Sequence, residues 1–192
     1  MILTALAASR AWSADDPGTG LEYKIKSGFI YNFIKYIDWP EKKLSTEKDD
    51  DPIVIGVIGV SPFGKALEPI TKKKIKNKKL AIRYFPGFKR TGKKYSDKDT
   101  EKLRNCHVLF VSSSEKKYIE NIIKLVTGSN VLTVSDIDGF VETGGIINFV
   151  TEKKKIRFSI NLDAAKRSEL VIPTTVLKIA KKVIHEQKKV EK

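Results

Sequence analysis

The segment Gly59-Val60-Ser61-Pro62-Phe63-Gly64-Lys65-Ala66 has the residue types and spacing of a phosphate-binding loop, with a lysine directly after the second glycine. Such a loop needs Ser or Thr after the lysine to hold magnesium, and Ala66 has no oxygen to offer. Pro62 removes one of the backbone N–H donors that would cradle phosphate. No Asp for the metal follows the apolar run Val108–Val111, which leads into Ser112-Ser113-Ser114. We therefore expect a structural strand-to-helix turn, with weak anion binding at the helix start as the most it could do.

Cys106 and His107 set a nucleophile beside a base. Neighbours on a strand point to opposite faces, so these two cannot form a catalytic dyad with each other. Cys106 is the only cysteine, which excludes an intramolecular disulfide, and a buried small hydrophobe is expected there. The other histidine, His185, lies near the end of the sequence, and no spacing suggests a metal site. Asp136 and Asp138 could do acid–base work in a pocket that shifted their pKa values, but Asp-x-Asp-Gly is first a turn-capping pattern. Asn148, Arg157 and Asn161 interrupt apolar strands, where polar groups need partners, and structural polar contacts are expected of them. No catalytic residue, metal ligand or cofactor is assigned, and binding is expected in place of catalysis.

The elements that must position these residues follow from periodicity. From Leu21 to Ile37, apolar residues recur at Ile25, Phe29, Phe33 and Ile37 with Ile30 and Ile34 beside them, which predicts a helix with a wide buried stripe. Trp39-Pro40 ends it. Strands are expected at Ile53–Ile58, Leu80–Phe85, Val108–Val111, Val131–Val134, Ile146–Val150 and Ile156–Leu162. Helices are expected at Phe63–Ile70, Glu115–Val126, Asp163–Arg167 and, as one long element, from Pro173 to Gln187, with a single helical turn at Asp138–Glu142. Gly87–Thr100 reads as a polar, basic loop. The expected fold is α/β, a three-layer sandwich whose mostly parallel, about six-stranded sheet ends in an antiparallel hairpin, with helices on both faces. Ligands gather at the carboxyl ends of the strands in such sheets, which makes Ser61, Ser112 and Asp136 a candidate ligand pocket.

Composition suits one soluble domain, with 41% hydrophobic and 31% charged residues in a chain of 192. Net charge is +14, and residues 72–104 hold fourteen Lys/Arg against three Asp/Glu. That run is rich in lysine, poor in arginine, and free of aromatic residues over Lys72–Lys79, so it lacks the planar forks and stacking platforms of nucleic-acid readers. A solvated lysine face is expected, and nucleic acid is not an expected partner. Residues 1–20 read as the remnant of an export signal and a flexible lead-in, with the true start upstream of Met1, followed by a single domain over 21–190. No apolar run is long enough to span a membrane.

Lys26-Ser27-Gly28-Phe29-Ile30-Tyr31-Asn32-Phe33-Ile34-Lys35-Tyr36-Ile37-Asp38-Trp39-Pro40, Gly144-Gly145-Ile146-Ile147-Asn148-Phe149 and Arg157-Phe158-Ser159-Ile160-Asn161-Leu162 occur in one chain, with Ser61-Pro62-Phe63-Gly64, Cys106-His107-Val108 and Leu132-Thr133-Val134-Ser135-Asp136 in order between the first two. As a set they resemble the signatures of the YfiR family. The resemblance implies an exported, periplasmic α/β protein without catalysis, whose studied members repress a membrane-bound diguanylate cyclase through its periplasmic sensor domain and so restrain cyclic-di-GMP and biofilm formation. The expected partner is the periplasmic domain of an inner-membrane signalling protein, with Tyr31, Tyr36 and Trp39 as candidate partner-binding residues and a homodimer also allowed. Those relatives sense redox through disulfides, a property the lone Cys106 cannot reproduce within one chain. A periplasmic small-ligand or anion-binding module feeding another membrane sensor is the alternative.

Overall fold

A computed structural model describes residues 17–43, 51–92 and 94–185. Of the leader and flexible lead-in expected over residues 1–20, residues 1–16 lie outside the described residues, as does Gln187 with its neighbours, and residues 17–20 are the first turn of a helix. Eight strands form one sheet: β1 (Ile53–Ile58), β2 (Lys74–Ile75), β3 (Lys78–Phe85), β4 (Val108–Val111), β5 (Leu132–Ser135), β6 (Ile147–Glu152), β7 (Lys155–Asn161) and β8 (Lys182–Ile184). Their order is β2-β3-β1-β4-β5-β6-β7-β8. From β3 to β6 neighbours are parallel, β6–β7 is antiparallel, and β2 and β8 cover the two edges. β1 and β4 are buried along their whole length, as strands covered on both faces must be.

Among the described residues the α-helices are α1 (Pro17–Tyr36), α2 (Glu68–Thr71), α3 (Asp97–Arg104), α4 (Ile119–Val126), α5 (Leu162–Arg167) and α6 (Thr174–Ile179). One face of the sheet packs on α1, α2, α5 and α6 around Phe33, Leu67, Phe110, Phe149, Phe158 and Val176. The other packs on α3 and α4 around Leu103, Leu109, Ile122, Val126 and Phe140. In the larger core Phe33 meets the Phe158 ring edge-on, with centroids 5.0 Å apart, and stacks beside Phe149 at 6.0 Å.

Several local expectations are overturned. The long C-terminal helix is α6 alone. Ala180 turns to an extended conformation (φ −67, ψ 140), and Lys182, Val183 and Ile184 pair with Ser159, Ile160 and Asn161 of β7. Pairing there satisfies backbone groups that would otherwise line an open edge beside Val183 and Ile184. The end of the expected basic loop, Gly87–Thr100, is the start of α3, whose Ser96 hydroxyl accepts from the Asp99 N–H, while Asp97 and Asp99 open the helix and Lys102 and Arg104 close it. Only Leu103 of α3 is buried, so no apolar period announces it. Phe63–Ile70 is mostly turn, with helix only from Glu68, and Asp138–Glu142 is hydrogen-bonded turn. The β6–β7 hairpin is tighter than expected: Lys153 and Lys154 alone form the turn, at φ 47 and 62, as a two-residue connection of this twist requires.

Gly145 passes so close to Phe140 that an added Cβ would collide with the ring. Gly145→Ala is expected to lower unfolding free energy by about 1–3 kcal/mol through overpacking. The check is a lower denaturant midpoint with an unchanged slope.

Candidate functional site

The buried stripe of α1 is rotated from the expected one. Lys26, Ser27, Ile30, Phe33 and Ile34 face the sheet, whereas Ile25 is 42% exposed and Leu21 61%. Ile37, which follows the helix, is also buried. Farther along α1, Tyr36 is 49% exposed, and beside it Ile179 of α6 is 59% exposed. Between the two helices lies an apolar groove of about 450 Å³, lined by Phe29, Asn32, Phe33, Tyr36, Val176 and Ile179 among others. Leu21, Ile25 and Tyr36 fall on the outer side of the helix, while Phe29 at its margin is half-buried against Phe149 and Phe158. Of the three aromatics singled out from sequence, only Tyr36 lines this groove. Tyr31 lies half-buried beneath the Lys73 ammonium, 4.7 Å from its ring centroid, and Trp39 is part of the core. Ile179 was missed because a helix continuing to Gln187 would have made it an interior residue of that element.

A second cluster ties α1 to the end of β5. Lys26 is only 2% exposed, and its ammonium sits 2.6 Å from both Glu22 Oε1 and Asp136 Oδ2. The Tyr23 hydroxyl donates to the same Asp136 oxygen at 2.7 Å, and the ammonium stands 4.4 Å from the Tyr23 ring centroid. Burial pushes the Tyr23 phenol well above its ordinary value, and the hydrogen bond and charge of Asp136 push it further. Asp136 is thus committed to α1, while the turn after β5 is capped by Ser135, whose hydroxyl accepts from the Ile137 N–H and donates to the Val111 carbonyl. Asp138 is exposed. The i,i+4 spacing of Glu22 and Lys26 was the one sequence signal for this cluster.

At the point between β1 and β4 where the strand order reverses, Glu115 occupies the crevice. Its carboxylate is buried, accepts from the Phe88 N–H at 2.8 Å and from the Ser114 hydroxyl at 3.0 Å, and fills the space beside Gly59 and Gly87. A Cβ at Gly87 would strike this carboxylate in its present position, so any larger residue there would have to displace the Glu115 side chain. Ser112 is fully buried, with no partner for its hydroxyl among the described residues, and Ser61 accepts from the Phe63 N–H. The structure therefore sets Ser61, Ser112 and Asp136 at the carboxyl ends of β1, β4 and β5, with Asp136 engaged by Tyr23 and Lys26.

Asn161 accepts from the Ala164 N–H at 2.9 Å, capping α5, and donates to the Val141 carbonyl at 2.8 Å. Asn148 donates to the carbonyls of Phe149 and Ser135. Arg157 is exposed near the hairpin end of β7. Cys106 is fully buried between the sheet and α3, and burial pushes its thiol up to about 11, away from thiolate chemistry. Among the described residues no group of three or more His, Cys, Asp or Glu could hold a metal, and no helix is long and apolar enough to cross a membrane.

His107 Nδ1 accepts from the Val54 N–H at 3.0 Å, which leaves Nε2 to donate to the Lys43 carbonyl at 3.0 Å. Burial pulls its pKa down from 6.5 to about 4. Because the neutral ring is the folded form, its contribution is present above about 6.5 and lost as pH falls through about 4. A loss on the order of 3 kcal/mol across that window is expected in unfolding free energy. An imidazole NMR titration that reached midpoint near 6.5 would contradict it.

A family model described as YfiR/HmsC-like matches residues 23–181. Among solved structures, a conserved domain protein from Vibrio cholerae O1 biovar El Tor str. N16961 superposes with a TM-score of 0.53 at 13% identity, covering 84% of this chain and 60% of that one. The ABC domain in complex with L-Trp from Streptococcus pneumonia gives a TM-score of 0.53 at 14% identity, covering 80% of this chain and 59% of that one. At these identities the likeness is one of α/β fold, and the chain spans about 60% of the length of these two structures. No curated protein matches the chain in a sequence comparison.

Proposed function

The chain belongs to the YfiR/HmsC-like family, and from that premise we propose that it is a non-enzymatic periplasmic regulatory protein that acts by protein contact through the groove between α1 and α6. The observation that carries this reading is the apolar groove flanked by the exposed side chains of Tyr36 and Ile179, with Leu21 and Ile25 exposed farther towards the start of α1. Apolar side chains clustered on one surface and flanked by polar residues mark a contact site more often than a catalytic one. Aromatic anchors such as Tyr36 supply large contact area at low entropic cost. The partner in this reading is the periplasmic domain of an inner-membrane signalling protein, with a diguanylate cyclase as the specific candidate.

Support is also drawn from the polar groups. His107, Asp136, Glu115 and Cys106 are all engaged in packing or in short internal hydrogen bonds, and none faces the groove. The test is co-expression of the full chain with the membrane sensor proteins of the same genome, followed by capture and by measurement of cyclic-di-GMP on deletion. Capture of a sensor with raised cyclic-di-GMP in the deletion is the expected result. Absence of a captured sensor together with unchanged cyclic-di-GMP overturns the reading.

A further inference from the structure

β3 is the long strand at one edge of the sheet, and its outer side is covered only at its start. β2 pairs with Lys78 and Lys79 and then stops, while β1 pairs with the inner side from Leu80 to Phe85. The Phe85 carbonyl accepts from the Gly59 N–H, so the Phe85 backbone points towards β1. Successive residues of a strand direct their backbone groups to opposite sides, so those of Ile82 and Tyr84 point outward. Neither has a backbone hydrogen-bond partner among the described residues. Tyr84 is 57% exposed as well.

The charge of the edge segment itself has one sign, with Glu68 of the adjoining α2 the exposed acid on the neighbouring helix. Lys74, Lys76, Lys79, Arg83, Lys89 and Arg90 are exposed, and no acidic residue occurs from Lys72 to Ser96. A second copy of the chain pairing edge to edge would bring like charges together, which is the usual means by which lysine keeps a sheet edge from self-association. An acidic strand meets no such barrier.

We propose that the outer edge of β3 is a docking site for an extended acidic segment of a partner protein, which adds to the sheet beyond β2 as a further strand. Ile82 and Tyr84 supply the main-chain hydrogen bonds, and the flanking lysines and arginines select the charge. The site lies at the edge opposite β8 and is independent of the groove between α1 and α6.

The test uses the full chain and a capped peptide of alternating glutamate and valine as long as β3. Fluorescence anisotropy is expected to show saturable binding, weakened about tenfold when alternate peptide nitrogens are methylated along one edge, because the ladder bonds are lost while the charge remains. Hydrogen exchange is expected to slow at the Ile82 and Tyr84 amides. Tyr84→Pro removes an outward donor without touching the β1 pairing and is expected to weaken binding. K79E/R83E leaves the backbone intact and is expected to do the same if the proline variant fails to fold. No binding, binding indifferent to methylation, unchanged exchange at Ile82 and Tyr84, or tighter binding of duplex DNA or anionic vesicles than of the peptide each overturns the proposal.

Discussion

Replacing Lys26 with methionine is expected to lower unfolding free energy by about 3 kcal/mol, with a clear fall in thermal midpoint. The methylene stem is preserved by this change, so the loss reports the ammonium. Asp136 would keep only the Tyr23 hydroxyl, since both its 2.6 Å contact and that of Glu22 end on Lys26. Glu22 is partly exposed and can swing into water, whereas Asp136 is largely enclosed, so most of the penalty falls on Asp136. Accordingly K26M/D136N is expected to recover at least half of the loss. A double variant no more stable than K26M alone would mean that the cluster acts by packing and not by charge.

The second large effect concerns function. Y36S/I179E is expected to weaken capture of the partner at least thirtyfold, equivalent to about 2 kcal/mol, since a central aromatic anchor is removed and a charge is placed on an apolar rim. Each side chain is about half exposed in the free protein, so an accompanying loss of about 1–2 kcal/mol in unfolding free energy is expected, and binding is measured where the variant remains folded. The paired control is Tyr31→Ser, on the part of α1 beneath Lys73 and away from the groove, which is expected to leave capture within about twofold of the parent. Equal affinity of Y36S/I179E and the parent would place the contact elsewhere on the surface.

Much of the sheet was legible in the sequence because its strands are short, apolar and bounded by turn residues. Ile53–Ile58 and Val108–Val111 coincide with β1 and β4 to the residue. The final hairpin was readable from alternation near its turn, though Ser159 and Asn161 are buried where alternation places them on a wet face. Asn161 is buried because it caps α5, a role set by the chain's turn after β7. The elements that escaped have local signals pointing elsewhere. Val183 and Ile184 continue the helical period of α6, yet they are taken by the edge of β7. The lysines around β2 conceal a hairpin whose turn, Lys76-Asn77, carries positive φ at both residues without a glycine.

The sequence alone determined the α/β class, the positions of the principal strands along the chain, the closing antiparallel hairpin and the signatures shared with the YfiR/HmsC-like family, because each rests on residues within a few positions of one another. Tertiary structure decided which face of α1 is buried. A lysine takes a core position at Lys26 because Asp136, 110 residues away, is there to meet it, and Ile25 is turned outward as the consequence. It likewise decided that Glu115 fills the crevice between β1 and β4, and that Tyr36 and Ile179 flank one groove. Period and propensity report what a segment can bury. Which of its faces is buried depends on partners that only the folded sheet brings within hydrogen-bonding distance.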